Sequence, residues 1–130
     1  MSGPTRRPVL LLVDDEPGIL AALQRSLRRE GYEIVAVDSV AAALRTLRER
    51  RVDLLLTDHK MPVASGLDLI REVATHWPDI PRLLLTGWAG EIGADEVRRL
   101  GVRALVPKPW DDASLKERLR EALQDGDGVE

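Results

Sequence analysis

The residues with chemistry to offer are three aspartates, Asp14, Asp15 and Asp58, with Glu16 beside the first pair, the hydroxyl of Thr86 and the ammonium of Lys108. Brought into one pocket, three carboxylates repel, and one of their pKa values would rise sharply. A hard divalent cation is the natural compensation, and Mg2+ takes oxygen ligands of this kind while keeping several waters. Histidine and cysteine ligands are missing from the group, which argues against zinc or copper. A lysine opposite the acids is a point charge suited to phosphate. A small hydroxyl can donate one hydrogen bond to an oxyanion. Such parts stabilise the equatorial oxygens of a phosphoryl group in transfer. The nucleophile left over is Asp58, which would form an acyl phosphate.

Each residue also has a plainer explanation. Asp58 could start a turn. Asp14 and Asp15 could be acids placed favourably at a helix N-terminus. Thr86 could be a strand end, and Lys108, between Pro107 and Pro109, a surface turn residue. The elements that carry them decide the matter.

Val9–Val13 is a continuous apolar run, ended by Asp14-Asp15-Glu16-Pro17. Pro17 suits the first turn of a helix, and Ile19, Leu20, Leu23 and Leu27 give that helix its buried stripe up to a stop at Gly31. A second strand spans Glu33–Val37. Ser39 can cap the next helix, whose inward residues are Val40, Leu44 and Leu47. Leu54–Leu56 form a strand buried on both faces, surfacing at Asp58. A third helix begins at Gly66, with Leu69, Ile70, Val73 and Trp77 at helical spacing before Pro78. Arg82–Thr86 is the fourth strand. A weaker helix is predicted over Glu91–Leu100, interrupted in composition by Gly93. Val102–Val106 is the fifth strand, and Asp111 or Asp112 caps a last helix with Leu115, Leu119, Ala122 and Leu123 inward.

Five strand–helix units with short connections imply parallel strands joined by right-handed crossovers, with helices on both faces. The predicted fold is α/β, a doubly wound, flavodoxin-like (βα)5 sandwich with a five-stranded parallel sheet in the order 2-1-3-4-5. Asp14, Asp15, Asp58, Thr86 and Lys108 then leave four strands at one carboxyl edge, beside the point where the strand order reverses. In such sheets that is where ligands bind.

The 130 residues predict one domain over 1–130, with a core of about 8–123 and flexible ends at 1–7 and 124–130. With 44% hydrophobic and 32% charged residues the mix is that of a soluble globular chain. A net charge of −3 offers no bulk electrostatic case for nucleic acid. There is no helix-turn-helix pattern. No run approaches transmembrane length, and Val9–Val13 is too short for a signal-peptide core. The absence of cysteine excludes disulfides and fits a reducing compartment. A cytoplasmic protein is expected.

The motifs Leu-Val-Asp-Asp-Glu at 12–16, Asp-His-Lys-Met-Pro at 58–62 with Gly66, Leu-Leu-Thr-Gly at 84–87 and Lys-Pro at 108–109 resemble those of response-regulator receiver domains, the phosphoacceptor modules of two-component signalling. The resemblance covers roughly Pro8–Leu123. It implies that Asp58 is phosphorylated by a sensor histidine kinase or a histidine phosphotransfer protein. It implies that Mg2+ is held by Asp15 directly, by Asp14 partly through water, by Asp58 and by the main-chain carbonyl of Lys60. Thr86 would turn toward the phosphoryl group on activation, Lys108 would pair with it, and the bond before Pro109 would be cis. The switch would move the loop at 87–90, the fourth helix and the fifth strand. The resulting output face lies around Val97, Arg98, Leu105, Trp110 and Leu115, with core packing an equal reading for Trp110, and could pair two copies or control a downstream partner. Such a domain catalyses only its own phosphorylation and dephosphorylation.

Two departures from the family pattern carry information. Leu105 stands where similar domains usually carry Tyr or Phe, so the usual aromatic–hydroxyl coupling loses its ring. Lys60 and Trp88 stand where similar domains tune the lifetime of the phosphate. Trp88 is expected to shield the acyl phosphate, and Lys60 to add positive charge at the rim. Leu105 keeps open a second function, a pseudo-receiver that binds partners without phosphate. A magnesium phosphatase with an Asp nucleophile would want an acid where Lys60 stands. A flavin binder would want hydroxyls and amides where the first strand ends in three acids. The residues show no output module, leaving a single-domain regulator or part of a longer one.

Overall fold

The structure, a computed structural model, describes residues 7–87 and 92–127, the last three by backbone alone. In chain order the elements are β1 (Val9–Val13), α1 (Pro17–Leu27), β2 (Glu33–Val37), α2 (Val40–Glu49), β3 (Leu54–Asp58), α3 (Gly66–His76), β4 (Arg82–Thr86), α4 (Ala94–Arg99), β5 (Val102–Pro107) and α5 (Asp112–Asp127). The strands form one parallel sheet in the order β2-β1-β3-β4-β5, as predicted.

Leucine runs build the three inner strands. Side chains alternate across a strand, so Leu10 and Leu12 of β1, Leu54 and Leu56 of β3, and Leu83 and Leu85 of β4 face one side. There they pack against Leu23 and Leu27 of α1 and Leu115, Leu119 and Ala122 of α5. Leu11, Val13, Leu55 and Leu84 face the other side, against Ala43 and Leu47 of α2 and Leu69, Ile70 and Val73 of α3. The chain has no phenylalanine, so both layers are filled by aliphatic side chains. Each fully buried leucine contributes roughly 1.5–3 kcal/mol relative to an exposed one.

Local signals set the helix ends. Pro17 occupies the first turn of α1, and Gly31 beyond it has φ 85°. Ser39 Oγ accepts the Ala42 N–H at 3.1 Å and starts α2. Ser65 and Asp68 form a reciprocal capping box on α3. The Ser65 N–H bond, the largest cause, holds the Asp68 carboxyl below its ordinary value. Asp111 accepts the Ser114 N–H and starts α5.

Some boundaries differ from those read in the sequence. The fourth helix was predicted over Glu91–Leu100; it spans Ala94–Arg99, with Gly93 extended at its N-cap, and Glu91 lies outside the described residues. Ile92 and Leu100, just beyond its ends, are buried, whereas no residue within it is. The helix is therefore anchored chiefly at its flanks, with Val97 half-buried against the same layer. It is also tied to α3 by Arg71, which reaches Asp68 at 2.7 Å and Glu96 at 3.0 Å. The expected core boundary near 123 falls inside α5, whose backbone runs on to Asp127 because helical hydrogen bonds need no apolar partner.

Gly66 is fixed by the return of the β3–α3 loop onto the strand. Its N–H donates to the His59 carbonyl at 2.8 Å, and a Cβ there would lie 1.8 Å from the Asp58 carbonyl oxygen. Gly66→Ala must open this turn. It is expected to destabilise the fold by about 1–3 kcal/mol or more, read as a lower urea midpoint at unchanged m-value.

Candidate functional site

Strand register brings the site together. Val13 of β1 stands opposite Thr57 of β3, so the next residues, Asp14 and Asp58, leave neighbouring strands side by side. Asp58 pairs in register with Leu85, which puts Thr86 one step beyond it. Thr86 pairs with Pro107, and the Lys108 N–H donates to the Thr86 carbonyl at 2.9 Å. The four segments open onto a cleft of about 420 Å3 lined by Asp15, Glu16, Asp58, His59, Lys60, Thr86, Gly87 and Lys108.

One oxygen from each of Asp14, Asp15 and Asp58 lies within 4.8 Å of the others. Asp14 is fully buried, and Asp58 and Thr86 nearly so. The Lys108 ammonium lies 2.9 Å from Asp58 Oδ1, 3.2 Å from Asp14 Oδ2 and 3.8 Å from Glu16 Oε1. The sequence-predicted site residues therefore converge. Lys60 is exposed on the cleft wall. The Lys108–Pro109 bond is cis. Trp88 lies outside the described residues.

Two members of the predicted output face pack inward instead, Leu115 as its helical spacing predicted and Trp110 as its core reading had it. Leu115 is buried in the layer beneath α5. Trp110 packs on the same layer, and its indole N–H donates to Ser26 of α1 at 3.1 Å, placing it on the α1 side of the sheet. Leu105 is half-buried on the opposite layer, beside Leu84. Ser26 carried no signal in the sequence.

The electrostatics follow from burial. Loss of water raises the Asp14 pKa above the ordinary 3.8; the Glu16 N–H bond opposes this, the Asp58 charge adds to it, and Lys108 opposes it. For Lys108, burial alone would lower the pKa. The hydrogen bond to Asp58 and the charges of Asp14 and Asp58 outweigh that, and the net shift is upward. Asp14 Oδ1 is satisfied by the Glu16 N–H at 2.9 Å. Asp14 Oδ2 meets the Lys108 ammonium at 3.2 Å as an ion pair, without hydrogen-bond geometry. A buried carboxylate oxygen left in this condition, with two more carboxylates within reach, is a donor set that fits a hard divalent cation.

These features are those of a phosphoacceptor signalling module, and the chain belongs to the response regulator receiver domain family, whose model matches residues 10–120. It is 36% identical over 115 residues to the transcriptional regulatory protein GlrR of Escherichia coli (strain K12), covering 88% of this chain and 26% of that protein. It is 33% identical over 116 residues to the hydrogenase transcriptional regulatory protein HoxA of Bradyrhizobium diazoefficiens, covering 88% of this chain and 24% of that protein. The chain thus spans about a quarter of the length of these curated relatives. The signal receiver domain of an HD domain-containing protein from Pseudomonas fluorescens Pf-5 superposes with a TM-score of 0.88 at 31% identity, covering 95% of this chain and 100% of that one. The response regulator TrrA of Thermotoga maritima, solved in complex with Mg(2+)-BeF, superposes with a TM-score of 0.81 at 30% identity, covering 88% and 98%.

A raised native pKa means that the folded state holds the Asp14 proton more tightly than the unfolded chain does. Stability therefore falls as pH rises from 3.8 through the higher native value, and the cost is fully present above it. Asp14→Asn removes that ionisation and keeps an oxygen acceptor for Glu16. In chelator at neutral pH the variant is expected to melt roughly 3 °C or more above the parent. The gap should close below pH 3.8. Melting curves across pH check it.

Proposed function

We propose that this receiver domain takes a phosphoryl group onto Asp58 from a sensor histidine kinase or a histidine phosphotransfer protein. In this reading the phosphorylated form controls a downstream partner or an output domain of a longer regulator. The observation that carries the reading is the contact of the Lys108 ammonium with Asp58 Oδ1 at 2.9 Å, inside a cluster of three carboxylates.

An Asp58 carboxylate oxygen attacks the phosphorus of the donor. A new O–P bond forms as the bond to the leaving imidazole nitrogen breaks, and the electron pair stays with that nitrogen. The Lys108 ammonium, already against Asp58, counters the negative charge gathering on the phosphoryl oxygens. Thr86, at the end of the adjacent strand, donates its hydroxyl hydrogen to one of them. Mg2+ would be held by Asp14, Asp15, Asp58 and the Lys60 carbonyl, and would offset the charge shared between carboxylates and phosphoryl group. Near-complete burial of Asp58 limits the approach of water.

The switch is a population shift. The phosphoryl group adds up to about two negative charges and strong acceptor oxygens. Recruiting Thr86 draws on the segment that follows it, which leads to α4. That helix buries none of its own residues, so small differential contacts suffice to move it. The readout face then lies on α4 and β5, around Val97, Arg98 and Leu105. Among the described residues no helix is long and apolar enough to cross a membrane, and a cytoplasmic place of action belongs to this reading. A second reading, a module that binds partners without phosphate, is favoured by Leu105, which lacks the ring usual in similar domains.

Incubation with acetyl phosphate and Mg2+ is expected to add one phosphoryl group by mass spectrometry, and chelator to suppress it. Asp58→Asn should abolish the addition, and Lys108→Ala should slow it at least tenfold. Full incorporation in the Asp58→Asn variant would overturn the assignment. No incorporation in the parent would favour the second reading.

A further inference from the structure

Lys108 must hold its ammonium against two carboxylates although it stands on a loop. The connection from β5 to α5 is residues 108–111, and the sheet holds it by the bond from the Lys108 N–H to the Thr86 carbonyl at 2.9 Å. The other grip comes from α1. Ser26 is half-buried on that helix and faces the loop from across the layer. Its Oγ accepts the Trp110 indole N–H at 3.1 Å and donates to Asp112 Oδ1 at 2.7 Å. One hydroxyl thus engages the residue two past Lys108 and the first residue of α5.

The two helices around this hydroxyl are themselves tied. Glu30, just beyond α1, meets Arg120 of α5 at 3.1 Å and Lys116 at 3.7 Å. Ser26 therefore sits on a support already braced against α5. The Trp110 ring packs on the leucine layer beneath, so its N–H has one direction in which to point. Replacing that ring or the hydroxyl leaves the loop attached to the sheet at Thr86 and to α5 through the Asp111 cap, without its tie to α1.

We propose that Ser26 is a positioning residue for Lys108, its hydroxyl clamping Trp110 and Asp112 to α1 and so fixing the loop that aims the ammonium at Asp58. The functional consequence rests on the phosphoacceptor reading; the clamp itself does not. A net intramolecular hydrogen bond is worth about 0.5–1.5 kcal/mol, or roughly a two- to twelvefold change in an equilibrium.

The test has two readouts on the full chain. Hydrogen–deuterium exchange at the Lys108 and Trp110 amides is expected to quicken about three- to tenfold in Ser26→Ala and in Trp110→Phe. The double variant should show no further increase, and the amides of α2 should be unchanged. Ser26→Thr, which keeps the hydroxyl, should restore protection. Ser39→Ala, which removes the cap of α2, serves as a control of similar stability loss and should leave the loop amides alone. The second readout is the rate of phosphorylation by acetyl phosphate, expected to fall with Ser26→Ala and not with Ser39→Ala. Unchanged exchange at Lys108 in Ser26→Ala overturns the clamp. Quickened exchange with an unaltered phosphorylation rate overturns the positioning role. If the parent takes no phosphoryl group, the phosphoacceptor reading fails and exchange alone decides the clamp.

Discussion

Everything at the carboxyl edge of the sheet turns on one ammonium held against two buried carboxylates. Asp14 and Asp58 are drawn together by the register of β1 with β3, and neither can be well hydrated where it stands. Two such charges repel, and desolvation penalises each. Lys108 supplies the opposite charge from two strands away, its own burial outweighed by the acids it faces. Burial, and then the Asp58 charge, keep the Asp14 pKa raised even so. The resulting donor set of three carboxylates fits a hard divalent cation.

Holding that arrangement is the task of the rest of the chain. The inner strands are anchored on both faces by leucines, so their carboxyl ends are fixed points. The loops between those ends and the helices are short and individually secured. Gly66 lets the β3–α3 loop close on the Asp58 carbonyl, and the capping box at Ser65 and Asp68 starts α3 directly behind it. On the same face of the sheet as α3, α4 is held by Ile92 and Leu100 at its flanks, by half-buried Val97 and by exposed ion pairs, which are worth little individually. The acids thus sit on strand ends anchored from both faces, whereas α4 contributes no fully buried residue of its own.

Much of this was legible in the residues. Runs of three leucines mark strands buried on both faces, and the alternation of strand and helix leaves few topologies, so the sheet order and the meeting of Asp14, Asp15, Asp58, Thr86 and Lys108 followed. What escaped was whatever depends on which way a side chain turns in space. Trp110 and Leu115 follow the site lysine in sequence and were grouped with Leu105 as one surface, yet they lie on the α1 side of the sheet. Ser26 could not be singled out because its partners are more than eighty positions away. The fourth helix was drawn too long because apolar periodicity continues through Ile92, whereas the backbone turns at Gly93. The need for glycine at 66 was visible as a motif but not as a distance.

The aliphatic filling of the two layers has an optical corollary. Among the described residues the chromophores Tyr32, Trp77 and Trp110 are all half-buried at the margins of the layers. Ultraviolet absorbance and emission therefore report on the periphery, while the leucine interior is dark. Trp110 is the exception in usefulness, because the indole sits two residues from Lys108 and shares a cleft with it. A ligand that shifts the lysine should change that emission long before anything in the interior moves.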